Sequence, residues 1–394
     1  MVIFGIIAFI VLLCLSLAVA YLYFLLFVGL LGSQTYAESV SDYDFLILVP
    51  AYNEEDVIRL TLESLLRLDK TGRVDITVIA DNCTDSTAAI AREYGVTVLE
   101  RFDEINRGKG YALEWAINQF DLDRFSAVAF VDADTVAEPN MLREMARSFE
   151  SGAEAVQLYN GFSVVQNTAL SNLQKLANIV ENIFFYKSRA ILKLPILLRG
   201  TGMAIKSGLL KNHPWHSHSI TEDVEYAVNL LIDGVRIDFN ANSLVFAQAT
   251  SSFDQAYSQK TRWASGTFEL IKNKMWPLLK IGFKDARFDL VELAFSFLLL
   301  SRPLLIYIAG TAIIFGIFAP GGLNYIFVLW GLFLILLLIL YLLTGIIFIS
   351  DKKAALKSLL YIPRYGFWFL LLQFKALLNL GRIGWKRTER KIDE

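Results

Sequence analysis

Three short stretches of the chain concentrate residues that do polar chemistry. Asp132-Ala133-Asp134 sets two carboxylates one residue apart, directly after an apolar run at 127–131. Thr221-Glu222-Asp223 sets two adjacent carboxylates ahead of apolar residues at helical spacing over 224–232. Gln259-Lys260-Thr261-Arg262-Trp263 heads a third, amphipathic stretch. Paired carboxylates suit a hard divalent cation, Mg2+ or Mn2+, that also holds phosphates. A rigidly held carboxylate can take a proton from a hydroxyl, and an arginine can pair bidentately with a phosphate. Each stretch also has a structural reading. The Asp132/Asp134 pair can cap a following helix, Thr221 can be an N-cap, and an Arg-Trp pair can anchor a helix at a membrane interface.

The elements that must position these groups follow from apolar spacing. The run 127–131 reads as a buried strand of a parallel sheet. Asp132 and Asp134 then stand at its carboxyl end, where open α/β sheets bind ligands. Upstream, 45–49 reads as a first strand ended by Pro50, 57–68 as a helix, 74–80 as a second strand, 87–94 as a helix and 96–99 as a third strand. Asp and Ser/Thr residues over 81–87 suit a turn and a helix N-cap. Arg107-Gly108-Lys109-Gly110 opens a helix over 111–120, and a glycine-flanked lysine at a helix start is a ready anion site. This alternation predicts a doubly wound parallel sheet. After Asp134 the pattern changes. A strand is expected at 155–159, an amphipathic stretch at 167–194 ending near Pro195, and Gly200-Thr201-Gly202 inside 198–205. Two further strands are expected at 235–239 and 243–247, and an amphipathic stretch runs from 259 to 279.

The chain has 394 residues, 55% hydrophobic and 19% charged, a skew away from ordinary soluble proteins. The apolar excess lies at the two ends, which predicts a membrane protein with a soluble insert. A net charge of −2 gives no general attraction to nucleic acid. Cys14 lies in an apolar run and Cys83 in a polar loop, so no disulfide framework or cysteine metal site is expected. The stretch 3–31 is uncharged and longer than the ~30 Å hydrocarbon core requires. It lacks the basic start of a signal peptide and exceeds its apolar core, so it reads as an uncleaved transmembrane helix. A second span is expected at 325–349, preceded by 290–318 with Arg302-Pro303 near its middle. Arg302 is costly at membrane depth. It lines a channel, stabilises a kink at Pro303, or sits near the interface. The connection 319–324 has no Lys or Arg, whereas Lys284, Arg287, Lys352, Lys353 and Lys357 flank the opposite ends. The positive-inside rule makes the connection external and the soluble domain cytoplasmic. The interrupted apolar stretch 359–380 reads as an interfacial segment ahead of a basic tail at 382–391. His213-Pro214-Trp215-His216-Ser217-His218 admits a zinc reading, but a surface loop is preferred.

Taken together, Val49-Pro50-Ala51-Tyr52-Asn53-Glu54, the 81–85 loop, Arg107-Gly108-Lys109-Gly110, Asp132-Ala133-Asp134, Thr221-Glu222-Asp223 and Gln259-x-x-Arg262-Trp263 resemble, in order, the motifs of membrane-integrated, inverting family-two glycosyltransferases. The chain is similar to the cellulose, hyaluronan, chitin and poly-N-acetylglucosamine synthases over nearly its whole length. The resemblance implies an α/β GT-A-type nucleotide-sugar-binding domain inserted between transmembrane helices. The expected parts are an N-terminal transmembrane helix at 1–36, a cytoplasmic GT-A domain with amphipathic interface helices at 37–286, a transmembrane hairpin at 287–350, and an interfacial segment with a basic tail at 351–394.

The resemblance also implies roles. Pro50, Tyr52, Glu54 and Asp81 hold the uracil and ribose, and Lys109 lies on the nucleotide. Asp134 ligates Mg2+ or Mn2+, and Asp132 contacts the nucleotide or seconds the metal. Asp223 is the base. Gln259, Arg262, Trp263, Gly200, Thr201 and Glu222 brace the diphosphate and the acceptor, with Trp263 stacking on a sugar face. Glu54, Glu55 and Asp81 keep the alternative of ordinary helix-start acids or caps. The expected reaction is inverting transfer from a UDP-sugar to a growing β-linked glycan at the plasma membrane. The alternative is a single addition to a lipid or short acceptor. The expected partners are the UDP-sugar, the glycan or lipid acceptor and the bilayer, not nucleic acid, with a homo-oligomer left open.

Overall fold

A computed structural model describes residues 2–38, 40–163, 167–250, 253–299 and 302–378. After helix α1 (Val2–Leu31), strands and helices alternate: β1 (Phe45–Ala51), α2 (Ile58–Leu66), β2 (Val74–Asp81), α3 (Thr87–Glu93), β3 (Thr97–Arg101), α4 (Lys109–Ile117) and β4 (Ala127–Phe130). The apolar runs become strands because both sheet faces are covered. Phe45, Ile47 and Val49 of β1 enter one core, while Leu46 and Leu48 enter another. That two-sided burial is why the run lacks the alternation of a half-exposed strand.

The chain continues through β5 (Thr135–Ala137), α5 (Met141–Glu150), β6 (Ala155–Ser163), α6 (Ala169–Glu181), α7 (Ser188–Ile191), β7 (Met203–Lys206), α8 (Ser207–Asn212), α9 (Glu222–Ile232) and β8 (Ile237–Gln248). A π-helical turn over Asn182–Lys187 joins α6 to α7. The strands form an open sheet in the order β3-β2-β1-β4-β7-β6-β8-β5. The β3, β2, β1 and β4 strands are parallel, but β7 runs antiparallel to both β4 and β6, and β5 antiparallel to β8. The sheet is therefore mixed, not parallel throughout, because β7 re-enters beside β4 from the opposite end.

The two strands expected at 235–239 and 243–247 are one, β8, broken by a bulge. Leu158 opposes Asn240 and Tyr159 opposes Leu244. The skipped residues 241–243 bend the strand, as bulges do. They bring Val245 so close to Gly202 that a Cβ there would lie 2.4 Å from Val245 Cγ2. The sheet thus curls back over β7.

The C-terminal part holds α10 (Phe253–Lys284), α11 (Phe288–Ser296), α12 (Arg302–Ile317), α13 (Leu323–Thr344), α14 (Lys352–Ser358) and α15 (Ile362–Leu378). Two helices are long and apolar enough to cross a membrane, Val2–Leu31 and Leu323–Phe348. The expected first limb of the hairpin is not one straight helix: Phe288–Leu299 and Arg302–Ile317 meet at 74° and pass the same test only as a pair. Helix α15 packs on α10 through Ala264, Leu372 and Ala376 and leaves Phe367, Leu371 and Phe374 exposed. The basic tail at 382–391 lies outside the described residues.

Candidate active site

The strand order reverses beside β1: the chain runs outward through β2 and β3, then returns to β4 on the other side of β1. A crevice at such a switch point receives the loops that leave the carboxyl ends of the strands. Here the loops after β1 and β2 are stitched together. The Thr84 N–H donates to Asn53 Oδ1 at 2.7 Å, the Glu55 N–H to Asp85 Oδ2 at 3.1 Å, and the Ser86 N–H to Glu55 Oε2 at 2.9 Å. Glu55 is thus a brace between loops. The cap expected in 81–87 comes from Asp85, whose Oδ1 accepts the Thr87 N–H at 3.0 Å. Asp81 ends β2 and Pro50 is the last residue but one of its neighbour β1, where the strand runs on to Ala51, and the Glu54 N–H donates to Thr87 Oγ1 at 2.8 Å. Cys83 lies between the loops, and burial pushes its thiol up to about 11, so it is not a reactive thiolate at neutral pH.

Asp81 has a partner that sequence reasoning missed. Parallel register sets it opposite Arg101, whose Nη1 donates to Asp81 Oδ1 at 2.7 Å while Nη2 reaches Asp103 at 2.8 Å. Burial raises the Asp81 carboxyl, and Arg101 opposes the rise. The signal was a charged residue closing the third apolar run.

Lys109, at the start of α4, gathers three of the expected residues. Its Nζ is ion-paired with Asp132, donates to the Gly200 carbonyl at 2.8 Å and lies 3.9 Å from Glu222. A Cβ on Gly200, whose φ is +76°, would come within 3.2 Å of both Asp223 Oδ2 and Lys109 Nζ. Glycine answers both demands, positive φ and close approach. Burial raises Glu222 and then the charge of Asp223 raises it further, while burial raises Asp223 against the pull of Lys109. Thr221 precedes α9 but makes no side-chain cap. Instead Asp223 Oδ1 accepts the Val224 N–H at 2.8 Å.

The loop 199–202 backs the end of β4. The Asp132 N–H donates to Thr201 Oγ1 at 3.0 Å, and that hydroxyl donates to Thr135 Oγ1 at 3.2 Å. The loop is clamped by fully buried Gln157, which accepts the Arg199 N–H at 2.7 Å and donates to the Thr201 carbonyl at 2.9 Å. The Arg199 guanidinium reaches Asn182 at 2.9 Å and Glu181 at 3.5 Å, and lies over the Tyr186 ring. Gln157 and Arg199 were not anticipated; a glutamine amid the apolar run 155–159 was the available sign.

Helix α10 meets α9 where a Cβ on Gly266 would lie 2.3 Å from Thr221 Cγ2. Gln259, Arg262 and Gly266 share one helical face by spacing. Gln259 is buried and Trp263 is 39% exposed, with Lys260 Nζ 4.3 Å from the centre of its ring. Burial lowers Lys260 to about 8. The histidines do not converge on a metal. His213 faces Asp233, while His216 and His218 each lie 2.6 Å from an oxygen of Glu114. They fasten the loop before α9 to α4, as does the stack of His218 on Tyr111.

A divalent cation would find oxygen donors in Asp132 and Asp134. Among the described residues, no group of three or more His, Cys, Asp or Glu side chains could hold a metal ion. The described residues thus offer a pair of carboxylates there, of which Asp132 is ion-paired with Lys109. That donor set fits a cation completed by phosphate oxygens and water.

The family described as glycosyltransferase like family 2 matches residues 43–266. A poly-beta-1,6-N-acetyl-D-glucosamine synthase of Staphylococcus epidermidis is 26% identical over 59% of this chain and 57% of its own length. A beta-monoglucosyldiacylglycerol synthase of a Nostoc species is 27% identical over 58% of this chain and 52% of its own. The chain spans between half and two thirds of the length of these relatives. Among solved structures, a mannosyltransferase of Pyrobaculum calidifontis in complex with GDP-Man and Mn2+ covers 94% of this chain, and this chain 98% of it, with a TM-score of 0.60 at 14% identity. At that identity the likeness is one of fold.

Proposed function

Because the chain belongs to glycosyltransferase like family 2, we propose that it moves a hexose from a UDP-sugar to an acceptor hydroxyl with inversion, at the cytoplasmic face of the plasma membrane. The observation that carries this reading is the cluster of Lys109, Asp132, Glu222 and Asp223 around Gly200. Pro50, Tyr52, Glu54 and Asp81 form the nucleoside seat, held rigid by the stitched loops. Asp134 and Asp132 would hold Mg2+ or Mn2+, which when bound supplies Lewis acidity to the departing diphosphate.

Asp223 takes the proton. The acceptor oxygen bonds to the anomeric carbon as the bond to the diphosphate breaks, and that electron pair leaves with UDP. The hydroxyl proton passes to the Asp223 carboxylate. Glu222 shapes the pocket, and Arg262 meets phosphate charge. Gln259, buried on α10, braces the diphosphate with Arg262; Trp263 closes the acceptor side. Gly200 and Thr201 keep the floor close enough for the acceptor to approach Asp223.

The Gln259-Arg262-Trp263 motif supports a growing β-linked glycan as product. The alternative, a single addition to a lipid or short glycan acceptor, is supported by the likeness to a beta-monoglucosyldiacylglycerol synthase. The test is a donor screen on detergent-purified protein with Mn2+, including UDP-hexoses, UDP-N-acetylhexosamines and GDP-mannose, with product sizing. UDP release and a glycosylated product are expected; no nucleotide release from any donor would sink the reading.

A further inference from the structure

We propose that Arg101 makes the nucleoside seat selective for uracil: it occupies one oxygen of Asp81 and leaves the other to meet the base. The proposal rests on the UDP-sugar transferase reading and deepens it, by naming the residue that chooses the nucleotide.

Asp81 ends β2, next to the end of β1. Its two oxygens are not equivalent. Oδ1 accepts from Arg101 Nη1 at 2.7 Å and from Asn82 Nδ2 at 3.0 Å. A carboxylate oxygen has two lone-pair sites, so Oδ1 is filled. Oδ2 accepts no hydrogen bond among the described residues. Arg101 is buried and held in place. Its Nη2 donates to Asp103 Oδ2 and to the Asn106 carbonyl, both at 2.8 Å. Asp103 is fixed in turn: its Oδ1 accepts the Ile105 and Asn106 N–H groups at 2.9 Å each, and its own N–H donates to Asn82 Oδ1 at 2.9 Å. Asn82 closes the ring, since its Nδ2 also donates to the Asp103 carbonyl at 3.2 Å. The loop 101–106 is thus a frame built around one half of a carboxylate.

Half a carboxylate discriminates among bases. The pairing edge of uracil offers a single N–H between two carbonyls, and one acceptor oxygen satisfies it. Guanine offers a ring N–H beside an amino group, a pair that fits both oxygens of a free carboxylate. Here one of those donors would meet the filled Oδ1. Cytosine presents an unprotonated ring nitrogen, which would set lone pair against lone pair at Oδ2. A buried polar group left unpaired weakens binding roughly 5- to 150-fold, and sites that hydrogen-bond their substrate reject analogues in this way.

Charge acts in the same direction. Burial raises the Asp81 carboxyl; Arg101 opposes the rise, Asp103 adds to it and Arg107 opposes it. Arg101 therefore helps to keep Asp81 ionised and an acceptor only. Without it the carboxyl would take up a proton more readily and lose its acceptor for uracil.

The test titrates UDP, GDP and CDP against the full chain in detergent with Mn2+, which acts on the diphosphate common to all three. Wild type should bind UDP roughly 5- to 150-fold tighter than GDP or CDP. Arg101→Met removes the charge and frees a lone pair of Oδ1. Its UDP-to-GDP ratio should shrink toward one, and its UDP affinity should fall on acidification from neutral pH while that of wild type stays flat. Asn82→Gly frees the other lone pair and suits the φ of +52° at that position. It should also narrow the ratio, without the pH trend, because Arg101 remains. Thermal melts report whether each variant is folded; should Arg101→Met not fold, the wild-type panel and Asn82→Gly decide. Equal wild-type affinity for UDP and GDP, or a wild-type ratio in the folded variants, would overturn the proposal. A wild-type chain that binds none of the three nucleotides would instead overturn the transferase reading beneath it.

Discussion

Asp223 divides its two oxygens. Oδ1 is committed to the Val224 N–H, and Oδ2 is turned toward Gly200 and Lys109. Asp223→Asn keeps the shape and removes the proton acceptor. Transfer should fall roughly 10²–10⁴-fold, the worth of a general base, with UDP affinity nearly unchanged. Glu222→Gln should be milder. Side-by-side UDP titration and rate measurement checks this; lost UDP binding would make Asp223 a nucleotide ligand instead. Both carboxyls are raised by burial, so each binds its proton more tightly folded than unfolded. Their stabilising contribution is therefore present on the acid side and lost as pH rises through the raised values. The base must be ionised, so transfer should climb over that same window. A melting temperature that falls while rate rises, from about pH 4 upward, is the expected pattern, and Asp223→Asn should flatten both trends. Asp134→Ala should abolish metal-dependent turnover; unchanged activity in the mutant and in chelator would remove the metal assignment.

At the scale of elements, the position of α9 depends on how closely its approach segment lies on α4. A Cβ on Gly110 would meet the Ser217 carbonyl at 2.2 Å. Gly110→Ala must push the 217–218 backbone, and with it Glu222 and Asp223, away from Lys109. Overpacking of this kind costs about 1–3 kcal/mol, so a scanning melt should show a drop of several degrees and transfer should fall further than stability alone explains. Sequence spacing found β1 to β4 because each run is local, and β1 and β4 are buried on both faces. It located Asp132 and Asp134 because they directly follow such a run. It did not find the antiparallel entry of β7, whose partner strand lies some seventy residues earlier. Nor could it find Gln157 or Arg199 as clamps, since Gln157 meets backbone atoms of the 199–202 loop and Arg199 meets the side chains of Asn182 and Glu181, all distant in sequence. The 241–243 bulge made one strand look like two. Thr221 looked like a cap because its residue type allows it, yet its side chain packs against Gly266 of α10 instead.

For the whole molecule, charge along the chain predicts orientation. A reporter fused at Gly321 should behave as external and one after Arg390 as internal; an external tail would mean that 359–380 crosses the bilayer. The curl of the sheet has a consequence for how the protein is made. The Asp132 N–H rests on Thr201, and Gly202 rests under Val245. A ribosome that has released the chain only through residue 200 exposes β1 to β4 as a half-sheet, with its carboxylates on an unfinished edge. Helix α1 is by then available to the membrane. The protein therefore acquires its address before its chemistry, and a truncated product would be delivered to the bilayer without a working centre.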